Sequence, residues 1–189
     1  MKKISQTEIQ DLMALHQRGL DDDVISKASS LVKEHPEEII LFNLLGVSYE
    51  RKGSLKNAAE AYKNALNINP NIPEMNFNLG AILFSENKVE EAIQFYEKSI
   101  QLNNNFPEAY FNLGIALQSM GRFDDAIQCY QRAIQIQPGF FEAITNMGTI
   151  KQLQGHLDEA AEFFKKSLNI REDGRGHYNL ANVLRNQGN

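Results

Sequence analysis

Asn78, Asn112 and Asn146 stand 34 residues apart, and Asn179 follows Asn146 after 33. A primary amide carries a carbonyl acceptor and an NH2 donor on one short side chain, so each of these residues can satisfy both polar groups of a peptide unit. Repeated at a fixed interval, such groups would hold the backbone of an extended chain without reading its side chains. Aromatic residues precede three of the four, Phe77, Phe111 and Tyr178, while Thr145 interrupts the set, and Phe84 lies two turns on from Phe77. Exposed beside the amides, these rings would supply the apolar anchors that a backbone ladder lacks. A structural reading stands next to this one. The amides can equally hydrogen-bond a neighbouring helix end, and aromatic residues at helical spacing commonly fill a core.

Bond-making chemistry finds no comparable support. His16, His35, His156 and His177 include no pair at metal-ligand spacing. The single cysteine, Cys129, excludes a disulfide framework and a multi-thiolate metal site. Gly174 to Gly176 follows a helical segment rather than a strand, which removes the context a phosphate cradle needs. Asp21, Asp22 and Asp23 read as a solvated helix start rather than a cation site. No catalytic activity, cofactor or metal is therefore expected. With 19 basic against 24 acidic residues the formal charge is -5, which argues against nucleic acid as a partner. No apolar run reaches a membrane span or a signal peptide, so a cytoplasmic chain without membrane attachment is the expectation.

The elements that must position the amides are written in further columns of the same period. Gly46, Gly80, Gly114 and Gly148 recur every 34 residues, each preceded by Leu45, Leu79, Leu113 or Met147. Ala58, Ala92, Ala126 and Ala160 keep the same interval, as do Tyr62, Tyr96, Tyr130 and Phe164. Independent columns sharing one period mark a repeat array. Within a repeat, apolar residues fall at helical spacing in two runs, as in Leu113, Ala116, Leu117 and then Ala126, Ile127, Tyr130, Ala133, Ile134. Gly53, Gly121 and Gly155, with Asn87 in the corresponding place, lie between the runs and predict a left-handed turn there. Pro73 and Pro107 suit a first helical turn, and Glu74 and Glu108 favour its dipole. Glycine in a helix interior costs about 1 kcal/mol against alanine, so the Gly column predicts close approach of the paired helix. The Ala column is expected to form the opposing surface, with the Tyr and Phe column beside it.

These columns, with Asn78 to Gly80, Asn112 to Gly114 and Asn146 to Gly148 reading NLG, NLG and NMG, resemble the tetratricopeptide repeat family over nearly the whole chain. The resemblance implies an all-α fold, a right-handed α-solenoid superhelix of helix-turn-helix units. Residues 1–189 would form a single array, with a degenerate unit at about 5–38, units at 39–72, 73–106, 107–140 and 141–174, and a terminal half unit at 175–189. In the first unit Leu12 and Val24 occupy the Gly and Ala columns, as suits a terminal repeat.

The implied function is a protein-interaction module that binds an extended peptide or a partner protein in its concave groove. Asn78, Asn112, Asn146 and Asn179 would hold the backbone, and Phe77, Phe111 and Tyr178 would anchor side chains. Neighbouring first helices about 10 Å apart and an extended chain rising about 3.3 Å per residue give roughly one amide per three ligand residues. This is similar to the asparagine ladder in the repeat region of O-linked N-acetylglucosamine transferases, though shorter, since Leu44 takes the first place. Glu74, Glu108 and Glu142 line one edge. The family's clamp for a terminal carboxylate is not matched, because Asn43, Phe77 and Phe111 stand where it needs cations. Replacing Asn112 and Asn146 with Ala is expected to weaken binding and barely alter unfolding.

Two alternatives accompany that reading. EIQDLMALHQRG, a degenerate unit and then HPEE resemble the amino-terminal repeat region of bacterial proteins with a glycosyltransferase or sulfotransferase domain downstream, where repeats would recruit substrate. The final LRNQGN matches LQSMGR ending at Arg122, which favours a piece of a longer protein. The other alternative is a self-assembling scaffold, in which a helix lacking a pairing partner for Leu180 and Leu184 stacks end to end on another copy.

Overall fold

The computed structural model describes residues 4–188, and within them every regular element is an α-helix. In chain order these are α1 (Gln6–Gln17), α2 (Asp21–Glu34), α3 (Ile39–Arg51), α4 (Leu55–Ile68), α5 (Pro73–Ser85), α6 (Val89–Leu102), α7 (Pro107–Ser119), α8 (Phe123–Ile136), α9 (Phe141–Leu153), α10 (Leu157–Ile170) and α11 (Gly174–Asn186). The all-α repeat fold expected from the columns is the fold observed.

The helix ends follow local chemistry. Ser5 caps α1 in a reciprocal box, accepting from the Glu8 amide at 3.2 Å while Glu8 accepts from the Ser5 amide at 2.9 Å. Pro73 and Pro107 open α5 and α7 in the first turn, where no amide hydrogen is needed. At the turn inside each helix pair the backbone is left-handed, with φ of 71° at Gly53, 74° at Gly121 and 81° at Gly155. Asn87 takes the same conformation at φ 61°, the best substitute for glycine there. The acidic run Asp21 to Asp23 is the first turn of α2, and Asp21 and Asp22 pair with Arg51, the last residue of α3, and with Lys52, which follows it.

The chain divides into two compact units, 1–102 and 103–189. In the first, α3 packs on α4 and α5 on α6 as antiparallel pairs, while α2 lies on α3 and α4 on α5. Its amino-terminal core gathers Leu12, Val24, Ala28, Leu41 and Leu45. In the second, α7 pairs with α8 and α9 with α10, α8 also packs on α9, and α10 on α11. Ala160, Ala161, Phe164 and Val183 form the core under α11.

Each mid-helix glycine is the seat of an aromatic ring. A Cβ at Gly46 would lie 2.4 Å from Tyr62 Cε1, at Gly114 2.5 Å from Tyr130 Cε1, and at Gly148 2.8 Å from Phe164 Cε1. The Ala column is fully buried as expected, but the ring rather than the alanine occupies the space the missing side chain leaves. A flat ring presents its edge to the bare helix backbone and fills that space more completely than a methyl group.

Candidate functional site

Asn78, Asn112, Asn146 and Asn179 lie on α5, α7, α9 and α11, the first helix of each pair, one position before the residue that enters the core. All four are half-buried. Their surroundings differ from that of Asn76, two residues before Asn78 on α5, which is 3% exposed and donates to the carbonyls of Pro70 at 3.1 Å and Ile72 at 2.8 Å. Asn76 thus spends both of its amide hydrogens on backbone carbonyls, as a structural asparagine does.

Asn146 is tied on one side only. Its Nδ2 donates to the Tyr130 hydroxyl at 3.3 Å, and that hydroxyl donates to Gln118 Oε1 at 2.8 Å. The Arg175 guanidinium reaches Asn146 Oδ1 at 3.5 Å, a long contact from an exposed side chain. The donors all point one way, from Arg175 through Asn146 and Tyr130 to Gln118, an arrangement in which successive bonds polarise one another. One amide hydrogen and most of the carbonyl's acceptor capacity remain on Asn146. In the first unit the Tyr62 hydroxyl donates to Glu50 Oε2 at 2.5 Å, so the acceptor there is a carboxylate.

The tyrosines register these surroundings in their acidity. Burial is the main cause raising the Tyr130 phenol from its ordinary value of 10.0 to about 12, against the bond from Asn146, which favours the phenolate. Tyr62 is pushed up further, first by burial and then by its bond to Glu50 and that group's charge, with the Asn78 side chain pulling the opposite way. Both are neutral phenols able to donate throughout the ordinary pH range.

The aromatic set divides. Phe77 and Phe111 are half-buried rather than exposed, because each lies back over the core ring of its own repeat. The Phe77 ring is 6.0 Å from that of Tyr96, and the Phe111 ring is 5.8 Å from Tyr130 and 4.8 Å from Phe140. Thr145, in the same column, is 2% exposed and bonded to the Phe141 carbonyl at 2.9 Å and to Ser167 Oγ at 2.5 Å. Tyr178, on α11, is 67% exposed. In the second unit the structure therefore brings Phe111, Tyr130 and Asn146 into one patch, whereas Tyr178 and Asn179 stand on α11.

Two concavities lie away from these residues. One of about 350 Å³ in the first unit is lined by Val32, Phe42, Leu45, Tyr49 and Ala61. Another, of about 730 Å³, opens between α10 and α11 beside Leu157, Ala161, Lys165, Leu184 and Gln187. Among the described residues no cluster of His, Cys, Asp and Glu could hold a metal ion, and no helix is long and apolar enough to cross a membrane.

Tyr130, Gln118, Tyr62, Glu50 and Arg175 escape a search for binding residues by type. Their signal is present in the period, since residues 50, 84, 118 and 152 form a column reading Glu, Phe, Gln, Gln, set back a fixed interval from the ring column.

Sequence profiles of the tetratricopeptide repeat match residues 46–85, 80–121, 107–140 and 142–175. No curated protein matches the chain. Among solved structures, a crystal structure of MamA superposes with a TM-score of 0.81 at 28% identity, covering 89% of this chain and 96% of that one. PilW, described as a widely conserved type IV pilus biogenesis factor, gives 0.82 at 22% identity over 98% of this chain and 88% of its own. YrrB, described as a TPR protein with an unusual peptide-binding site, gives 0.81 at 19% identity over 98% and 93%.

Proposed function

We propose that this chain, which belongs to the tetratricopeptide repeat family through its matched repeats, is a protein-interaction module that binds an extended peptide segment of a partner protein. The observation that carries the reading is the state of Asn146. One N–H is anchored on Tyr130, the other is open, and the carbonyl, met only by a long 3.5 Å contact from the exposed Arg175, keeps acceptor capacity, on a half-buried side chain one position outside the core. An amide held in this way meets a peptide backbone with little further loss of freedom, which favours affinity. Asn112 and Asn179 would serve as further rungs in the second unit, and Asn78 would offer an amide of the same kind in the first. Phe111 offers a ring edge beside Asn146 for a ligand side chain, Phe77 does the same in the first unit, and Tyr178 offers an exposed ring on α11. Among the compared structures, YrrB is described as having a peptide-binding site, and its likeness to this chain extends to the fold.

The test is a pulldown from cell extract with the intact chain and with the Asn112→Ala, Asn146→Ala variant, partners being identified by mass spectrometry. A protein retained by the intact chain and lost from the variant supports the ladder. Equal retention by a variant that still shows the parent's circular dichroism spectrum sinks it.

A second reading, end-to-end self-association, draws on the opening between α10 and α11, which Leu157 and Leu184 line as half-buried side chains. Sedimentation equilibrium decides it: a mass that stays at one chain across the concentration range removes this reading.

A further inference from the structure

The repeats do not treat their asparagines alike, and a single oxygen makes the difference. Tyr130 sits on Gly114, bonds Gln118 and receives Asn146. One repeat later, Phe164 sits on Gly148 in the same way, but a phenyl ring has no hydroxyl to offer. Gln152 keeps the spacing to Phe164 that Gln118 keeps to Tyr130, so the acceptor is in place while the link is missing. Asn179, which holds the corresponding place in the next helix, makes no side-chain hydrogen bond among the described residues.

We propose that Tyr130, backed by Gln118, is a positioning residue for peptide binding: its hydroxyl holds the Asn146 amide in one orientation, so that this rung is aimed while the rung at Asn179 turns freely. The proposal rests on the reading of the asparagines as ligand-binding groups. Because Asn146 Nδ2 is committed to an oxygen that is itself donating to Gln118, the amide cannot flip without placing its carbonyl against the Tyr130 oxygen. Its carbonyl is therefore presented on the side where the exposed Arg175 reaches it at 3.5 Å, with a lone pair left to accept a backbone N–H. At Asn179 both orientations are open and a ligand must pay for ordering the side chain on arrival. The same ring seat with and without the hydroxyl is a natural comparison within one chain, and it makes the exchange of the two residues a test that leaves packing intact.

Two variants decide it, Tyr130→Phe and Phe164→Tyr, each keeping the ring on its glycine. The first readout is the mobility of the asparagine side-chain amides in the free chain, measured by 15N relaxation. Tyr130→Phe is expected to raise the mobility of Asn146, and Phe164→Tyr to quench that of Asn179. If either amide keeps its parent mobility, the proposal is overturned. The second readout is affinity for a short fluorescein-labelled peptide selected on the intact chain from a random-sequence display library. Tyr130→Phe should weaken it by about 3- to 10-fold, the value of one hydrogen bond, and Phe164→Tyr should strengthen it. Altered mobility with unaltered affinity in both variants overturns the positioning role. The underlying reading fails separately and visibly: if Asn146→Ala leaves the affinity unchanged, the amide is not a binding group, whatever the relaxation data show about its orientation.

Discussion

Gly114→Ala adds one methyl group to the middle of α7, and the geometry sets two opposed effects against each other. Removing a glycine from a helix interior is worth about 1 kcal/mol in favour of the variant. Against this, the new Cβ would stand 2.5 Å from Tyr130 Cε1 and 2.8 Å from Cδ1, roughly 1 Å inside ordinary carbon–carbon contact. The ring has nowhere to retreat, being fully buried and held at its hydroxyl by Gln118 at 2.8 Å. Overpacking of this kind costs about 1 to 3 kcal/mol, and a ring shift that breaks the hydroxyl's bond adds about 0.5 to 1.5 kcal/mol. The net expectation is a loss of about 0.5 to 3.5 kcal/mol. Gly139→Ala, at a turn where an added Cβ meets nothing within 4 Å, should stay within about 0.5 kcal/mol of the parent. Urea unfolding followed by circular dichroism measures both. Because repeat arrays need not unfold in one step, amide exchange in α7 and α8 localises the loss. In a Tyr130→Leu background the penalty for Gly114→Ala should shrink, since the atoms it strikes are gone. A Gly114→Ala chain as stable as the parent would refute the seating of ring on glycine, and with it the account of why the column is glycine.

Asn146→Ala should cost about 0.5 to 1.5 kcal/mol through the lost bond to Tyr130, more than the near-neutral effect expected from the sequence; an unchanged urea midpoint would show the amide is not tied. The raised Tyr130 phenol makes stability depend on alkaline pH: the contribution is complete below the ordinary value of 10.0 and is lost as pH rises towards about 12. Tyr130→Phe should flatten the fall in unfolding free energy over that window, and a slope identical to the parent's would contradict the burial of the phenol. Asp173 caps α11 by accepting from the Gly176 amide at 2.7 Å, so Asp173→Ala should cost about 1 kcal/mol, seen as faster amide exchange in α11 while α7 and α8 keep the parent's rates.

The 34-residue period, the apolar spacing within it, and the turn residues were enough to place the helices. Gly53, Gly121 and Gly155 are left-handed where a left-handed residue was required, and Asn87 substitutes as its chemistry allows. Pro73 and Pro107 begin helices because a missing amide hydrogen is harmless only there. The candidate site was less legible. Phe77 and Phe111 read as groove anchors but lie against Tyr96 and Tyr130, and Thr145, which only interrupted their column, is buried against Ser167. That column runs along the border between core and surface, where a small rotation of the helix decides which side a ring takes.

What the sequence determined alone is whatever each short stretch of chain settles for itself: helix starts, turns, apolar stripes and the places where two helices must come close. Tertiary structure decided how each asparagine is spent. Asn76 and Asn146 are the same residue type on equivalent first helices, yet one gives both amide hydrogens to carbonyls of its own segment while the other gives one to a ring hydroxyl sixteen residues earlier. A hydrogen bond exists or not within a few tenths of an ångström of separation between two helices. The spacing of columns fixes which helices meet; the distance between their side chains is set only when all of them have packed.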